Sequence, residues 1–154
     1  MIYFNPSSNP KITELYLFLV QYSNSDTELW YGGHSDVNYI ISIFTENDIE
    51  ELVNDLKDWE PPYLTNLSHA LTADDDRGDP AVRSYIYAHI FLSLSDYHIF
   101  NIMDDFSYLK NSNQMIVPII ERIKDKLNQF DFLNYDKVSL GMSREIIDEL
   151  QQTL

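Results

Sequence analysis

Along most of this chain, apolar side chains recur at three- and four-residue intervals, the spacing that lines them up on one face of an α-helix. In residues 10–23 (PKITELYLFLVQYS), Ile12, Leu15, Tyr16, Leu19 and Val20 keep that spacing behind a proline suited to a helix start. Residues 24–35 (NSDTELWYGGHS) carry no such stripe, and Gly32-Gly33 predicts a loop. In residues 36–44, Val37, Ile40, Ile41 and Phe44 share a helical face, yet β-branched residues are dense enough to fit a strand. Both readings stay open there. Thr45-Glu46-Asn47-Asp48 has the form of a capping box with Asp in the place of Glu. Behind it Ile49, Leu52, Val53, Leu56 and Trp59 form one apolar stripe. Pro61-Pro62 ends that helix and starts another reaching about Leu71.

The second half continues in the same manner. Asp79 suits an N-cap and Pro80 the first helical position, where a missing N–H costs nothing. Val82, Ile86, His89, Ile90 and Ser93 then share a face that Tyr85, Phe91 and Leu94 widen, which predicts a central helix. Ser95-Asp96 restarts a helix carrying Ile99, Ile102, Met103 and Phe106. Residues 114–130 place Ile116, Ile119, Ile120, Ile123, Leu127 and Phe130 together, with Pro118 in a first turn or at a kink. Gly141 predicts a break, and Ser143 a cap for a last helix with Ile146, Ile147 and Leu150. The expected fold is all-α: six to eight short helices, joined by short turns into a compact array of antiparallel pairs. It forms one domain over residues 1–154, with at most one short strand or hairpin near residues 24–44.

Composition narrows the chemistry. Apolar residues make up 44% and aromatics 14%, enough for a folded core. The absence of cysteine excludes disulfides, thiolate-bound zinc and cysteine nucleophiles, and suits a reducing cytoplasm. The first residues lack the basic start and apolar stretch of a signal peptide, and no run approaches the roughly 18 apolar residues of a membrane helix. A cytoplasmic protein is expected. The formal net charge is −15 and is uneven. Residues 1–76 hold two basic side chains, Lys11 and Lys57, against fourteen acidic ones, a balance of −12, while residues 77–154 carry −3. Such a field repels nucleic acid and anionic membranes and steers a basic partner.

Asp79-Pro80-Ala81-Val82-Arg83, at a helix start, resembles the Asp-Pro-x-Val-Arg signature of HEAT and HEAT-like repeats. The resemblance covers roughly residues 60–108. It implies that Asp79 caps the helix, that Val82 enters the core and that Arg83 pairs with a neighbouring acid. The chain as a whole is similar to the small acidic immunity proteins, or antitoxins, of bacterial polymorphic toxin systems, contact-dependent growth inhibition among them. The shared features are size, strong acidity, a helix pair around the Asp-Pro-x-Val-Arg turn and the absence of a catalytic motif. This second resemblance implies a HEAT-like helical fold and tight protein–protein interaction with a toxin domain, frequently a basic nuclease.

Other candidate chemistry is sparse. Asp74-Asp75-Asp76-Arg77-Gly78-Asp79 offers oxygen ligands and a glycine, but not the Asp-x-Asp-x-Asp-Gly order or the twelfth-position Glu of a calcium loop. It reads first as a loop and a helix start, with its leading aspartates facing outward. His34, His69, His89 and His98 form no metal spacing, and His89 on an apolar face reads as a hydrogen-bonded core residue. Gly32-Gly33 is too poor for a phosphate cradle, and no Gly-x-Ser-x-Gly elbow surrounds the serines near His34. Paired carboxylates are abundant without any one pair standing out. Trp30-Tyr31 and the Trp59-Glu60-Pro61-Pro62-Tyr63 junction set aromatics beside acids, a composition that protein-binding sites favour. Trp59 itself, on a helical stripe, is expected in the core.

These observations point to a binding protein, not an enzyme, with no cofactor and no bound metal. Its partner-binding residues are expected to be Asp26, Glu28, Trp30, Tyr31, Asp36, Asp55, Asp58, Glu60, Tyr63, Asp74, Asp75 and Asp76, gathered along one edge of the helical array. The expected partner is a basic toxin domain, met by a protein that is monomeric when free. A HEAT-like intracellular scaffold is the alternative, and an enzyme of unrecognised type a third reading.

Overall fold

The computed structural model describes residues 4–23, 27–95, 98–111, 113–130 and 137–153. Over these the fold is all-α, and no strand occurs among the described residues. The chain packs as two compact units, Met1–Asp79 and Pro80–Leu154.

The first unit holds α1 (Pro10–Ser23), α2 (Thr27–Ser42), α3 (Glu46–Asp55), continued by a 3-10 turn at Leu56–Asp58, and α4 (Pro61–Leu71). Helix α1 packs on α2, α3 and α4, and α2 packs on α4. The core is the predicted stripes brought face to face: Ile12, Leu15 and Leu19 from α1, Ile49, Leu52 and Leu56 from the α3 region, and Leu64, Leu67 and Leu71 from α4. Burying each such side chain favours the fold by roughly 1.5–3 kcal/mol. The ends of the helices follow local rules. The Asn9 side chain accepts from the Lys11 N–H at 3.0 Å as α1 begins, with Pro10 in its first turn. The Thr45 capping box is complete. Asp48 N–H donates to Thr45 Oγ1 at 3.1 Å, and Thr45 N–H donates to the Asp48 carboxylate at 2.9 Å.

The predicted loop at 24–35 is corrected from Thr27 on, and the strand alternative at 36–44 is corrected too, by α2, a single helix running through Gly32-Gly33 to Ser42; residues 24–26 lie outside the described residues. Paired glycines cost a helix about 1 kcal/mol each. Here Gly33 is buried along with Val37 and Ile41, so the four-residue spacing continues through the glycines and packing outweighs propensity.

The second unit begins with α5 (Pro80–Ser93), immediately after Asp79 as predicted. Three 3-10 segments follow, Ile99–Asn101, Met103–Asn111 and Asn113–Ile119, and then α6 (Ile120–Phe130) and α7 (Lys137–Thr153). Helix α5 packs on the two longer 3-10 segments and on α6, and α6 packs on α7. Tyr87 and Phe91 are fully buried. Tyr87 donates its hydroxyl to Ile102 O at 2.5 Å, and Phe91 meets Phe106 edge-on at 5.3 Å. Lys126 of α6 donates to the carbonyls of Leu92 (3.0 Å) and Leu94, supplying donors where α5 runs out of its own.

Three sequence expectations fail in this unit. The helix predicted over 114–130 is α only from Ile120, with the residues before it in the 3-10 segment Asn113–Ile119. The predicted α-helix after Ser95 is a run of 3-10 turns; Asp96 lies outside the described residues. Buried Ile99, Ile102, Phe106 and Leu109 are spaced three or four apart, and Met103, Phe106 and Leu109 strictly three. A three-residue repeat stays on one side only in a helix of three residues per turn. Gly141 is no break, and Ser143 caps nothing: both lie inside α7, with Ser143 buried. Pro118 lies inside the last 3-10 segment, two residues before α6 begins at Ile120, where its missing N–H takes no α-helical bond.

Candidate functional site

All twelve expected binding residues belong to the first unit. That unit carries three basic and fifteen acidic side chains, a balance of −12, against −3 in the second. Asp26 lies outside the described residues. Glu28, Trp30 and Tyr31 fall in the first turns of α2, with side chains outside the described part of the structure. The other eight divide into two patches. Asp55, Asp58, Glu60 and Tyr63 flank the start of α4, while Asp74, Asp75 and Asp76 follow its end, in the loop whose Arg77 donates to the Ser35 carbonyl next to Asp36 of α2. The eleven residues of α4 set these patches roughly 16 Å apart at 1.5 Å per residue, so they form two surfaces and not one edge.

At the start of α4 the aromatics are structural. Trp59 is 4% exposed, and its indole N–H donates to Pro6 O at 3.2 Å, so the core expectation for it holds. Tyr63 is half-buried and meets Tyr16 edge-on at 5.3 Å, while Tyr16 meets Trp59 at 5.1 Å. Burial pushes the Tyr16 hydroxyl pKa up, and Tyr63 and Glu60 add to that, which puts the Glu60 carboxylate close to this cluster. Asp58 and Glu60 are exposed and Asp55 half-buried. Away from this junction, at the start of α3, Lys11 Nζ lies 2.8 Å from the Asp48 carboxylate, which also accepts from Asn9 at 2.7 Å. The lysine and these hydrogen bonds hold the Asp48 pKa well below the usual carboxylate range.

At the other end the acidic loop is ordered against α2. Asp75 Oδ1 accepts the Arg77 N–H at 2.8 Å, a local turn that asparagine and aspartate favour. The Arg77 guanidinium lies 5.9 Å from the Tyr39 ring centre and donates to Ser35 O at 3.4 Å. Gly78 adopts φ +76°, beside Asn38 and Ser42 of α2. Asp36, Asp74, Asp76 and Asp79 are exposed around it. Beneath the loop, the α2–α4 contact is polar. Asn38, fully buried, donates to Ala70 O at 2.8 Å. The His34 pKa is lowered by burial and by nearby His69, and Asp75 opposes that shift.

Sequence reasoning missed two residues here, Tyr39 (57% exposed) and Ile43 (54% exposed). Once α2 is one helix with Gly33, Val37 and Ile41 inside, positions 36 and 39 fall outside together, and Ile43 is exposed in the turn directly after the helix. The signal was present but masked by the break read at Gly32-Gly33.

In the second unit, Arg83 is buried and its guanidinium sits 5.6 Å from the Tyr108 ring centre. The hydrogen bond expected for His89 is not made at Nε2, which is buried and has no hydrogen-bond partner among the described residues. Burial, and secondarily Arg122, lowers its pKa to about 4. Among the described residues no group of three or more His, Asp or Glu side chains is placed to hold a metal ion. None of the described helices is long and apolar enough to cross a membrane.

Comparison with known proteins finds no match: no family model, no curated protein and no solved structure is significantly similar to this chain.

Proposed function

We propose that this chain is an immunity-type binding protein, which neutralises a basic toxin domain, a nuclease by preference, in the bacterial cytoplasm. The supporting observation is the concentration of charge: fifteen carboxylates against three cations within the 79 residues of the first unit. Asp36, Asp58, Glu60, Asp74 and Asp76 stand exposed there. Carboxylates arrayed on a folded surface imitate the phosphates to which a nuclease is built to bind. Long-range attraction then speeds encounter with the basic domain. Occupation of its substrate-binding face blocks the toxic reaction without any chemistry on the part of the inhibitor.

The test is co-expression. Each open reading frame flanking this gene is expressed alone and together with this chain. A flanking product that kills cells alone, spares them in its presence and co-purifies with it in moderate salt supports the proposal. A neighbourhood whose products are all harmless sinks it.

A further inference from the structure

From the outward face of α2 and the loop after α4, we infer that Tyr39 and Ile43, rimmed by the carboxylates of Asp36, Asp74, Asp76 and Asp79, form the docking surface for the basic partner. The inference rests on the proposed function and deepens it by choosing one of the two acidic patches and naming an apolar centre for it.

Asp36 and Tyr39 lie three residues apart on the side of α2 away from buried Val37 and Ile41, and Ile43, in the turn just past the last helical residue Ser42, follows Tyr39 by four positions. Two large side chains, each more than half exposed and four residues apart, make an exposed apolar patch. The acidic loop is fixed beside this patch. Arg77 reaches over Tyr39 and bonds Ser35 O, while the left-handed Gly78 lies so near α2 that a Cβ built on it would sit 3.6 Å from Ser42 Cβ. The apolar centre and charged rim are therefore held together before any partner arrives, and little ordering entropy remains to be lost on binding. An apolar centre inside a polar rim is the common anatomy of a protein interface.

Charge selects the occupant. A second copy of this chain would set the same carboxylate rim against itself, and like charges brought together cost affinity. A basic surface with an apolar centre of its own complements both parts. Another exposed apolar residue of this unit, Leu17, lies on α1 over a shallow depression lined by Pro10, Thr13, Glu14, Phe18 and Gln21. Only Glu14 among these is acidic. At the start of α4 the opposite holds: Asp58 and Glu60 are exposed, but Trp59 is turned inward. The α2 patch sets two large exposed apolar side chains beside the acidic loop, whereas, among the described residues, the junction at the start of α4 adds to its acids a single exposed ring, Phe4 (53% exposed), which packs on Tyr16 at 5.5 Å.

The test uses the full chain, labelled with nitrogen-15, and a synthetic amphipathic helical peptide bearing leucines on one face and lysines on the rest, at low ionic strength. Amide shifts concentrated in residues 35–43 and 74–79, with affinity at least about tenfold weaker for Tyr39→Ser with Ile43→Ser and unchanged for Leu17→Ser, are the expected result. Tenfold corresponds to about 1.4 kcal/mol. Because both positions are exposed, the variants should keep the parent fold, and the map of shifts stands without them in any case. Shifts centred on residues 55–63 or on α1, affinity indifferent to both substitutions, or no binding would overturn the inference. So would concentration-dependent shifts of the same amides without peptide, which would reveal self-association. The two proposals fail separately. A toxin domain neutralised equally well by the Tyr39→Ser, Ile43→Ser variant refutes this surface and leaves the immunity reading standing. Peptide binding here, with no toxic neighbour, does the reverse.

Discussion

Gly78 shows how one residue decides a local geometry. At φ +76° an L-residue meets its own carbonyl, while a Cβ built there would touch Ser42 only at an ordinary 3.6 Å. The constraint is therefore conformational and not spatial. Gly78→Ala should lower stability by about 1–2 kcal/mol, read as a drop in the chemical-denaturation midpoint. His89 carries a different consequence. Its folded pKa is about 4 against an ordinary 6.5, because burial and Arg122 disfavour the cation. Between those values the unfolded chain takes up a proton that the folded chain refuses. Stability should be fully present above pH 6.5, fall as pH drops toward about 4, and level off below. His34, its pKa lowered chiefly by burial, acts in the same direction. His89→Gln should flatten the thermal-midpoint profile over that window, removing on the order of 1 kcal/mol of pH dependence once partial exposure is discounted.

Among the elements, legibility followed the source of the signal. Helix α1, the Thr45 capping box, the start of α4 at Pro61 and the start of α5 at Pro80 were readable because caps and prolines act within a few residues of themselves. Replacing Asp79, at the N-cap position of α5, with alanine should cost about 1 kcal/mol in thermal unfolding. Glycine misled twice. Gly32-Gly33 and Gly141 suggest breaks by propensity, yet each lies inside a helix. A penalty of about 1 kcal/mol is small beside the burial of residues such as Ile147 and Leu150 in α7. No atom outside the local helix backbone lies within 4 Å of a Cβ placed at Gly141. Gly141→Ala should therefore stabilise the protein by about 0.5–1 kcal/mol, seen as a raised melting temperature. The 3-10 segments Met103–Asn111 and Asn113–Ile119 are hard to tell from an α-helix in the sequence, because three-residue and 3.6-residue spacings diverge only over several turns.

At the scale of the molecule, charge is the leading fact, and its effect belongs to rates more than to fold. Asp74→Asn with Asp76→Asn should leave the melting temperature nearly unchanged, since both side chains are exposed. Association with the proposed basic partner should slow severalfold at low ionic strength, and the difference should shrink at about 0.5 M salt as screening shortens to a few ångströms. Stopped-flow association rates across a salt series would check this. Equal rates for parent and variant at low salt would mean that the loop takes no part in steering.

The sequence by itself determined the helical class, the main apolar stripes, most helix starts and the bias of charge toward the first 79 residues, because these depend on spacing, short-range caps and composition. Only the tertiary structure decided that α2 and α7 continue through their glycines, because that continuity depends on what the other helices bury against them. It alone separated the acidic residues into two patches at the ends of α4, and set Tyr39 and Ile43 beside the aspartate loop. Residues 36–43 and 74–79 are more than thirty positions apart, and their proximity depends on α2 packing against α4. No local pattern in the chain carries that distance.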